Sequence, residues 1–253
     1  MANTSADASP ETPDTRIAAL QAELAAVRAE MQHFTYAVSH DLRAPLRHIV
    51  SYARLVEEDA GPQLSEEVQG FLSTITDSAQ HMGQLLDGLA ELSWVGSVPV
   101  DVGPVSLQEL VEATCQELSA QCRQRRVEWR IASGLPMVKA DVKLLRQALS
   151  QFLGNALKFS ATRESAVIEI NALPAQRNGF VALQVCDNGV GFNPAMQAQL
   201  FKVFGRLHSS NQFEGIGMGL VLAQKMLERF GAEVSIAGVP DGGCTVRLLL
   251  KRE

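Results

Sequence analysis

Long hydrophobic runs are missing from this chain of 253 residues. No stretch approaches the roughly 18 consecutive apolar residues that a membrane-spanning helix needs. The first fifteen positions hold neither a basic residue nor an apolar run, so the features of a signal peptide are absent too. We therefore expect no membrane span and no secretion signal, which favours a cytoplasmic location.

Cysteine is scarce, and basic charge is not in excess. The four cysteines form no C-x-x-C pair and are too few to crosslink the chain, so we expect free thiols in a reducing cytoplasm. The 22 basic and 28 acidic residues give a net charge of -6, which argues against a dedicated surface for nucleic acid or anionic membrane. With 46% hydrophobic and 20% charged residues, the composition is typical of a globular protein of one or two domains.

The N-terminal part of the chain has helical periodicity. Residues 1–15 are rich in small and polar residues and predict a disordered tail. Over residues 17–38, apolar side chains recur at alternating steps of three and four, which predicts a coiled coil. The helix is expected to continue to about Glu58, with a local bend at Pro45.

A second apolar stripe follows a Gly-Pro break and spans residues 64–92. Residues 16–95 are therefore predicted to form a helical hairpin. Two stripes bury little surface by themselves, so we expect two hairpins to pair as a four-helix bundle in a homodimer. The alternative is an intramolecular bundle with later helices.

A different pattern begins after a predicted linker at residues 96–104. Residues 105–253 alternate helical segments with short strands, which predicts an α+β domain with an open mixed sheet. The expected helices begin after Ser106, span residues 143–159 behind an Asp141 cap, and span residues 220–230. The expected strands cover residues 127–131, 167–170, 181–186, 232–237 and 244–251.

His40 is the first candidate for chemistry. It lies about 200° around the helix from the apolar positions beside it, so we expect it to face solvent. A carboxylate at Asp41 can hold one ring nitrogen protonated and leave the other free as a nucleophile. A solvated helix face carrying a surface histidine would have the same pattern.

Further polar residues follow at helix and strand ends. Asn155 offers a neutral hard oxygen suited to Mg²⁺, and Lys158 offers a cation suited to phosphate oxygens, although a solvated helix face would look similar. Asp187 ends a strand and could accept a hydrogen bond from an exocyclic amine such as that of adenine; a plain Asx turn is the alternative. Gly189 and Gly191 follow Asp187, and because they lack a side chain they let the backbone approach a ligand closely.

A glycine cluster precedes the last predicted helix. Backbone amides at a helix start bind phosphate, and a flexible glycine segment can close as a lid. The cluster consists of Gly215, Gly217 and Gly219. Leu220 stands where a dinucleotide-binding motif needs glycine, and the chain holds no Walker A lysine, G-x-S-x-G or H-E-x-x-H motif.

The ordered set of motifs resembles the sensor histidine kinases of two-component systems, particularly their phytochrome-like branch. Five segments carry the resemblance: residues 34–46 (H box), 153–160 (N box), 187–191 (G1 box), 200–208 (F box) and 215–219 (G2 box). The resemblance implies a dimeric helical hairpin followed by an α/β-sandwich ATP-binding domain of the Bergerat type.

The same resemblance implies a function and its residues. ATP would phosphorylate His40, with Asp41 as acid/base partner, and the phosphoryl group would pass to an aspartate of a response regulator receiver domain. Asn155 would bind Mg²⁺ and Asp187 the adenine. Lys158 and Arg206 would contact phosphates, Arg206 the γ-phosphate, and the glycines of the G1 and G2 boxes would line the nucleotide.

Three departures from the family pattern qualify this expectation. Gln151 stands where the first Asn of the N box is usual, and Ala44 replaces the Thr or Asn that orients a water in phosphatase-competent relatives. Too little chain precedes His40 for a folded sensor, so input is expected from a separate sensory protein or a missing segment. The alternatives are a degenerate kinase that acts as a receiver-binding scaffold or inhibitor, and a related ATPase or serine kinase whose His40 helix is only a stalk.

Overall fold

The computed structural model describes residues 13–122, 125–209 and 212–253. It contains a long helical hairpin followed by a part built of strands and helices. Most of the predicted disordered tail, residues 1–12, lies outside the described residues. The last three residues of that tail already belong to the first helix, since proline and an acidic residue are favourable in a first helical turn.

The hairpin consists of α1 (Pro13–Ala60) and α2 (Glu66–Ser97), joined by a short 3-10 turn. The side chain of Ser65 caps α2 by accepting a hydrogen bond from the amide of Val68 at 3.4 Å. Pro45 lies inside α1, which continues through it. The predicted helical hairpin is confirmed.

The predicted linker at residues 96–104 is too long at both ends. Helix α2 continues to Ser97 and ends where Val98 is extended, because the residue before Pro99 disfavours the helical conformation. Strand β1 (Gly103–Ser106) then pairs antiparallel with β3 (Met137–Ala140). Neither of these four-residue strands was predicted.

The remaining elements follow the predicted order closely. They are α3 (Leu107–Gln121), β2 (Val127–Ile131), α4 (Val142–Phe159), β4 (Ala166–Pro174), β5 (Phe180–Asp187), α5 (Gly219–Arg229), β6 (Glu233–Val239) and β7 (Gly243–Lys251). Asp141 caps α4 by accepting hydrogen bonds from two backbone amides, as expected. The main sheet has the order β2-β4-β5-β7-β6, with β2 and β4 parallel and the other pairs antiparallel. The expected α+β sandwich is confirmed.

The core packs helices α3, α4 and α5 against this sheet and also includes residues of β1 and β3. Phe152 and Leu149 of α4 are buried together with Ile168 of β4 and Leu183 of β5. This packing turns the polar side of α4 towards the edge of the sheet where β5 ends and α5 begins. The structure thereby brings four of the five predicted motif segments, the N, G1, F and G2 boxes, to one edge.

None of the helices that the structure describes is both long and apolar enough to cross a bilayer.

Candidate active site

A cavity of about 670 Å³ lies at this edge, within the usual size range of small-molecule sites. Most predicted site residues line it: Asn155, Lys158, Asp187, Gly191, Arg206, Gly215, Gly217 and Gly219. Gly189 is not among the described lining residues, but its amide donates a hydrogen bond to Asp187 in the pocket. Residues far apart in the chain therefore meet around one pocket.

Asp187 is a half-buried carboxylate in this pocket. Its Oδ1 accepts hydrogen bonds from the amides of Gly189 at 2.8 Å and Cys244 at 3.2 Å, and neither bond uses Oδ2. Burial raises the pKa of Asp187 to about 6, while the two amides act in the opposite direction. The side chain is thus fixed by one oxygen and has a second acceptor for an amine in a largely apolar environment.

Two glycines permit close backbone approaches around the pocket. Gly191 has a φ of 60°, and a Cβ there would lie 1.8 Å from the carbonyl oxygen of Val239. Gly217 has a φ of 75°, and a Cβ there would lie 2.6 Å from the carbonyl oxygen of Gly205. Any other residue at these positions would displace the backbone that lines the pocket.

Two cations converge on the segment of residues 212–218, which we call the G2 segment. Lys158 Nζ donates to the carbonyl oxygen of Glu214 at 3.2 Å. Arg206 donates to the carbonyl oxygens of Phe213, at 2.7 Å, and Gly215. Burial, and then the charge of Arg206, lower the pKa of Lys158. Two adjacent cations facing a pocket are the electrostatic complement of a phosphate chain.

Asn155 and Gln151 extend the polar lining along α4. Gln151 packs closely on the start of α5, because its Oε1 lies 2.5 Å from the position of a Cβ on Gly219. Within the described ranges, no cluster of three His, Cys, Asp or Glu side chains could hold a metal ion by itself. The amide oxygen of Asn155 suits Mg²⁺ only where phosphate oxygens and waters complete the shell, as Mg²⁺ sites with few protein ligands do.

His40 and Asp41 lie on α1 and are not among the described residues that line the pocket. Their side chains are 66% and 82% exposed, as the helical pattern predicted for His40. His40 Nδ1 lies 3.2 Å from Asp41 Oδ1, and the ring of Tyr36 stacks at 6.4 Å between centroids. The Nε2 side of the imidazole has no such neighbour among these contacts, so it is the nitrogen open to a reagent.

The hairpin also contributes directly to the pocket, which the sequence did not indicate. Gln84, Asp87, Gly88 and Glu91 of α2 line its open side. A Cβ on Gly88 would lie 2.9 Å from side-chain atoms of Ile216 and Met218, so α2 packs against the G2 segment. A glycine inside a helical stripe was the available signal for such a contact.

An aromatic cluster was also missed. Phe159, His208 and Phe213 have ring centroids 5.0 to 5.4 Å apart. His208 Nε2 lies 3.0 Å from the carbonyl oxygen of Gly191. These contacts join α4, the segment after residue 200 and the G2 segment around the loop that follows Asp187.

Two family models match consecutive parts of the chain. Residues 30–97 match the His Kinase A (phospho-acceptor) domain, and residues 140–253 match the histidine kinase-, DNA gyrase B-, and HSP90-like ATPase. The first range contains the exposed histidine, and the second contains most of the pocket.

Curated relatives match nearly the whole chain. Cyanobacterial phytochrome B of Nostoc sp. is 30% identical over 93% of the chain, and the circadian input-output histidine kinase CikA of Synechococcus elongatus is 30% identical over 87%. The phytochrome-like protein Cph1 of Synechocystis sp. is 28% identical over 90%. The chain spans only 31%, 30% and 30% of these three relatives, respectively.

Solved structures have a similar fold. Full-length ShkA in complex with AMPPNP superposes with a TM-score of 0.60 at 25% identity, over 87% of this chain and 46% of ShkA. The histidine kinase AdeS of Acinetobacter baumannii has the same fold, with a TM-score of 0.59 at 17% identity, over 85% of this chain and 98% of AdeS. With a phosphoacceptor domain followed by an ATPase domain, and phytochrome-like proteins among its relatives, the chain belongs to the sensor histidine kinases of two-component systems.

Proposed function

We propose that the chain is an active protein-histidine kinase that transfers the γ-phosphoryl group of ATP to His40 and then to an aspartate of a response regulator. The observation that carries the proposal is that the chain has two distinct sites, one suited to bind ATP and one suited to accept its phosphoryl group. One pocket combines an amine acceptor with two cations, and one exposed imidazole has a carboxylate on Nδ1.

In this proposal the pocket holds ATP from end to end. Asp187 accepts a hydrogen bond from the adenine amine, and Lys158 and Arg206 exchange G2-segment carbonyls for phosphate oxygens. Asn155 would hold Mg²⁺ together with the phosphates. The metal would neutralise charge that develops on the phosphate oxygens during transfer.

His40 is the proposed acceptor, and Asp41 orients it. The contact from Asp41 favours a proton on Nδ1, which leaves the lone pair on Nε2 for attack. A bond forms between Nε2 and the γ-phosphorus while the bond from that phosphorus to the bridging oxygen breaks, and ADP leaves with the electron pair. Transfer to a receiver aspartate then restores the imidazole.

We propose that two copies of the chain pair through the hairpin. The apolar side chains of both helices are exposed in the single chain, and they follow the heptad spacing of a bundle. They include Leu20, Leu24, Phe34, Leu42, Phe71, Ile75 and Met82. The four cysteines are free thiols, which favours the cytoplasm as the compartment.

The test is incubation of the purified chain with Mg²⁺ and γ-labelled ATP. We expect acid-labile, base-stable label that His40→Ala abolishes, whereas ATP binding persists. His48→Ala is the matched control, because His48 is exposed on the same helix and should leave labelling unchanged. Label that survives His40→Ala would contradict the proposed acceptor.

A receiver-binding scaffold is the alternative, favoured by Gln151 in the N box and its close packing on Gly219. It predicts ATP binding without labelled histidine in the wild-type chain. Gln151→Asn separates the two functions, since it should leave a scaffold inactive and should preserve or raise labelling of a kinase.

A further inference from the structure

Arg163 lies outside the pocket lining, in the connection between α4 and β4, and its guanidinium joins two loops. Its Nε donates to the carbonyl oxygen of Asn188 at 2.9 Å. One terminal nitrogen donates to the carbonyl oxygens of Gly189 at 3.0 Å and Asp241 at 2.9 Å. The carboxylate of Asp241 lies 3.6 Å away. One side chain thus connects the loop of residues 187–192, the G1 loop, to the turn between β6 and β7.

The two loops also pack directly on each other. The amide of Asp241 donates to the carbonyl oxygen of Val190 at 2.8 Å. A Cβ on Gly243 would lie 1.9 Å from the carbonyl oxygen of Asp187, so the turn follows the G1 loop with no space for a side chain there. Asp241 itself has a φ of 58°, a left-handed conformation that the surrounding contacts maintain.

Both amides that donate hydrogen bonds to Asp187 lie where the G1 loop and the β6–β7 turn meet. Gly189 belongs to the G1 loop, and its amide donates to Asp187 while its carbonyl accepts from Arg163. Cys244 follows the β6–β7 turn, and its amide donates to the same carboxylate oxygen. A movement of either loop would change the direction of Asp187 Oδ2.

We propose that Arg163 and the β6–β7 turn form a brace that aims Asp187 at the exocyclic amine of the nucleotide base, which makes Arg163 a positioning residue for base recognition. The inference rests on the proposed function, because it presumes that Asp187 reads that amine. Arginine is suited to the task, since its planar fork binds several carbonyls at once. Lysine supplies only a point charge.

The test compares two nucleotides on the full chain by calorimetry. ATP and purine riboside 5′-triphosphate differ only in the exocyclic amine, so the ratio of their dissociation constants reports on the Asp187 contact alone. We expect the wild-type chain to favour ATP about tenfold or more, as for a hydrogen bond to a charged group. Arg163→Ala should reduce this ratio to about threefold or less, and Arg163→Lys should give an intermediate value.

Arg177→Ala is the matched control. Arg177 also pairs with a carboxylate, that of Glu233 at 3.2 Å, but it precedes β5 at the end of that strand opposite Asp187. The control should keep the wild-type ratio. If the alanine variant does not fold, the ratio of dissociation constants measured for Arg163→Lys tests the proposal instead.

A ratio unchanged in Arg163→Ala, even with both affinities reduced equally, would overturn the brace. Absence of ATP binding to the wild-type chain would instead overturn the proposed function, and the inference with it.

Discussion

The hairpin and the sheet part of this molecule solve the burial of apolar side chains differently. In the sheet part, helices α4 and α5 close over the sheet, and Phe152 is 1% exposed. In the hairpin, Leu20 is 58% exposed and Phe71 57% exposed in the single chain. The sheet part therefore has a core that is buried within one chain, whereas the hairpin leaves an apolar surface exposed, which the proposed pairing of two chains would cover.

The largest expected effect tests this difference in burial with one phenylalanine from each region. Phe152→Ala should cost about 3–5 kcal/mol of unfolding free energy at every protein concentration, because it opens a cavity in a closed core. Phe71→Ala should cost most at concentrations where the hairpins pair and little where the chain is dilute. Urea unfolding at a low and a high protein concentration measures the loss of stability in both variants.

The two tryptophans separate the regions in this experiment. Trp94 lies on α2 and Trp129 on β2, so Trp94→Phe leaves a reporter on the sheet part alone. Equal losses for Phe71→Ala at all concentrations would mean that the hairpin stripe is covered within one chain.

A smaller effect concerns the buried carboxylate of the pocket. The pKa of Asp187 is raised from 3.8 to about 6 in the folded chain without nucleotide, so the folded chain favours the protonated form more than the unfolded chain does. Its contribution to stability is full below about pH 4 and is lost as pH rises through 6. Asp187→Asn should therefore stabilise the nucleotide-free chain at pH 8, by at most about 3 kcal/mol, and hardly at pH 4.

The same substitution should weaken ATP binding about 10- to 100-fold. In the wild-type chain, ATP affinity should fall as pH drops through about 6, because the carboxyl group then loses its charge. Thermal melting from pH 4 to 8 measures the stability trend, and calorimetry from pH 5 to 8 measures the affinity trend. A wild-type affinity that stays constant over this range would show that ionised Asp187 does not read the base.

Sequence periodicity predicted the elements whose pattern repeats. Helix α4 and strand β5 matched within a residue or two, because each buries a regular face and carries a recognisable end such as Asp141. Strands β1 and β3 were missed, since four residues are too few to show alternation.

The site was predicted in its parts but not in its surroundings. Asp187 and Lys158 belong to local motifs, which a sequence displays directly. Asp87 reaches the pocket through packing of the hairpin on the sheet part. Arg163 reaches the G1 loop and the β6–β7 turn through contacts 25 to 78 residues apart. Such contacts depend on the finished tertiary structure; a local feature such as Gly88 inside a helix can suggest close packing but does not identify the partner.

The smallest expected effect tests where the two regions meet, at two glycines of α2. Replacing glycine by alanine inside a helix stabilises it by about 0.5–1 kcal/mol where space allows. Gly83 has nothing within 4 Å of an added Cβ, so Gly83→Ala should show this gain. At Gly88 the Cβ would meet Ile216 and Met218 at 2.9 Å, so Gly88→Ala should forfeit the gain or reverse it by loosening α2 from the G2 segment.

Thermal unfolding of the two variants measures this difference in stability, and small-angle scattering should show a larger radius of gyration for Gly88→Ala alone. Equal stabilisation by both substitutions would mean that α2 and the G2 segment do not pack together in solution.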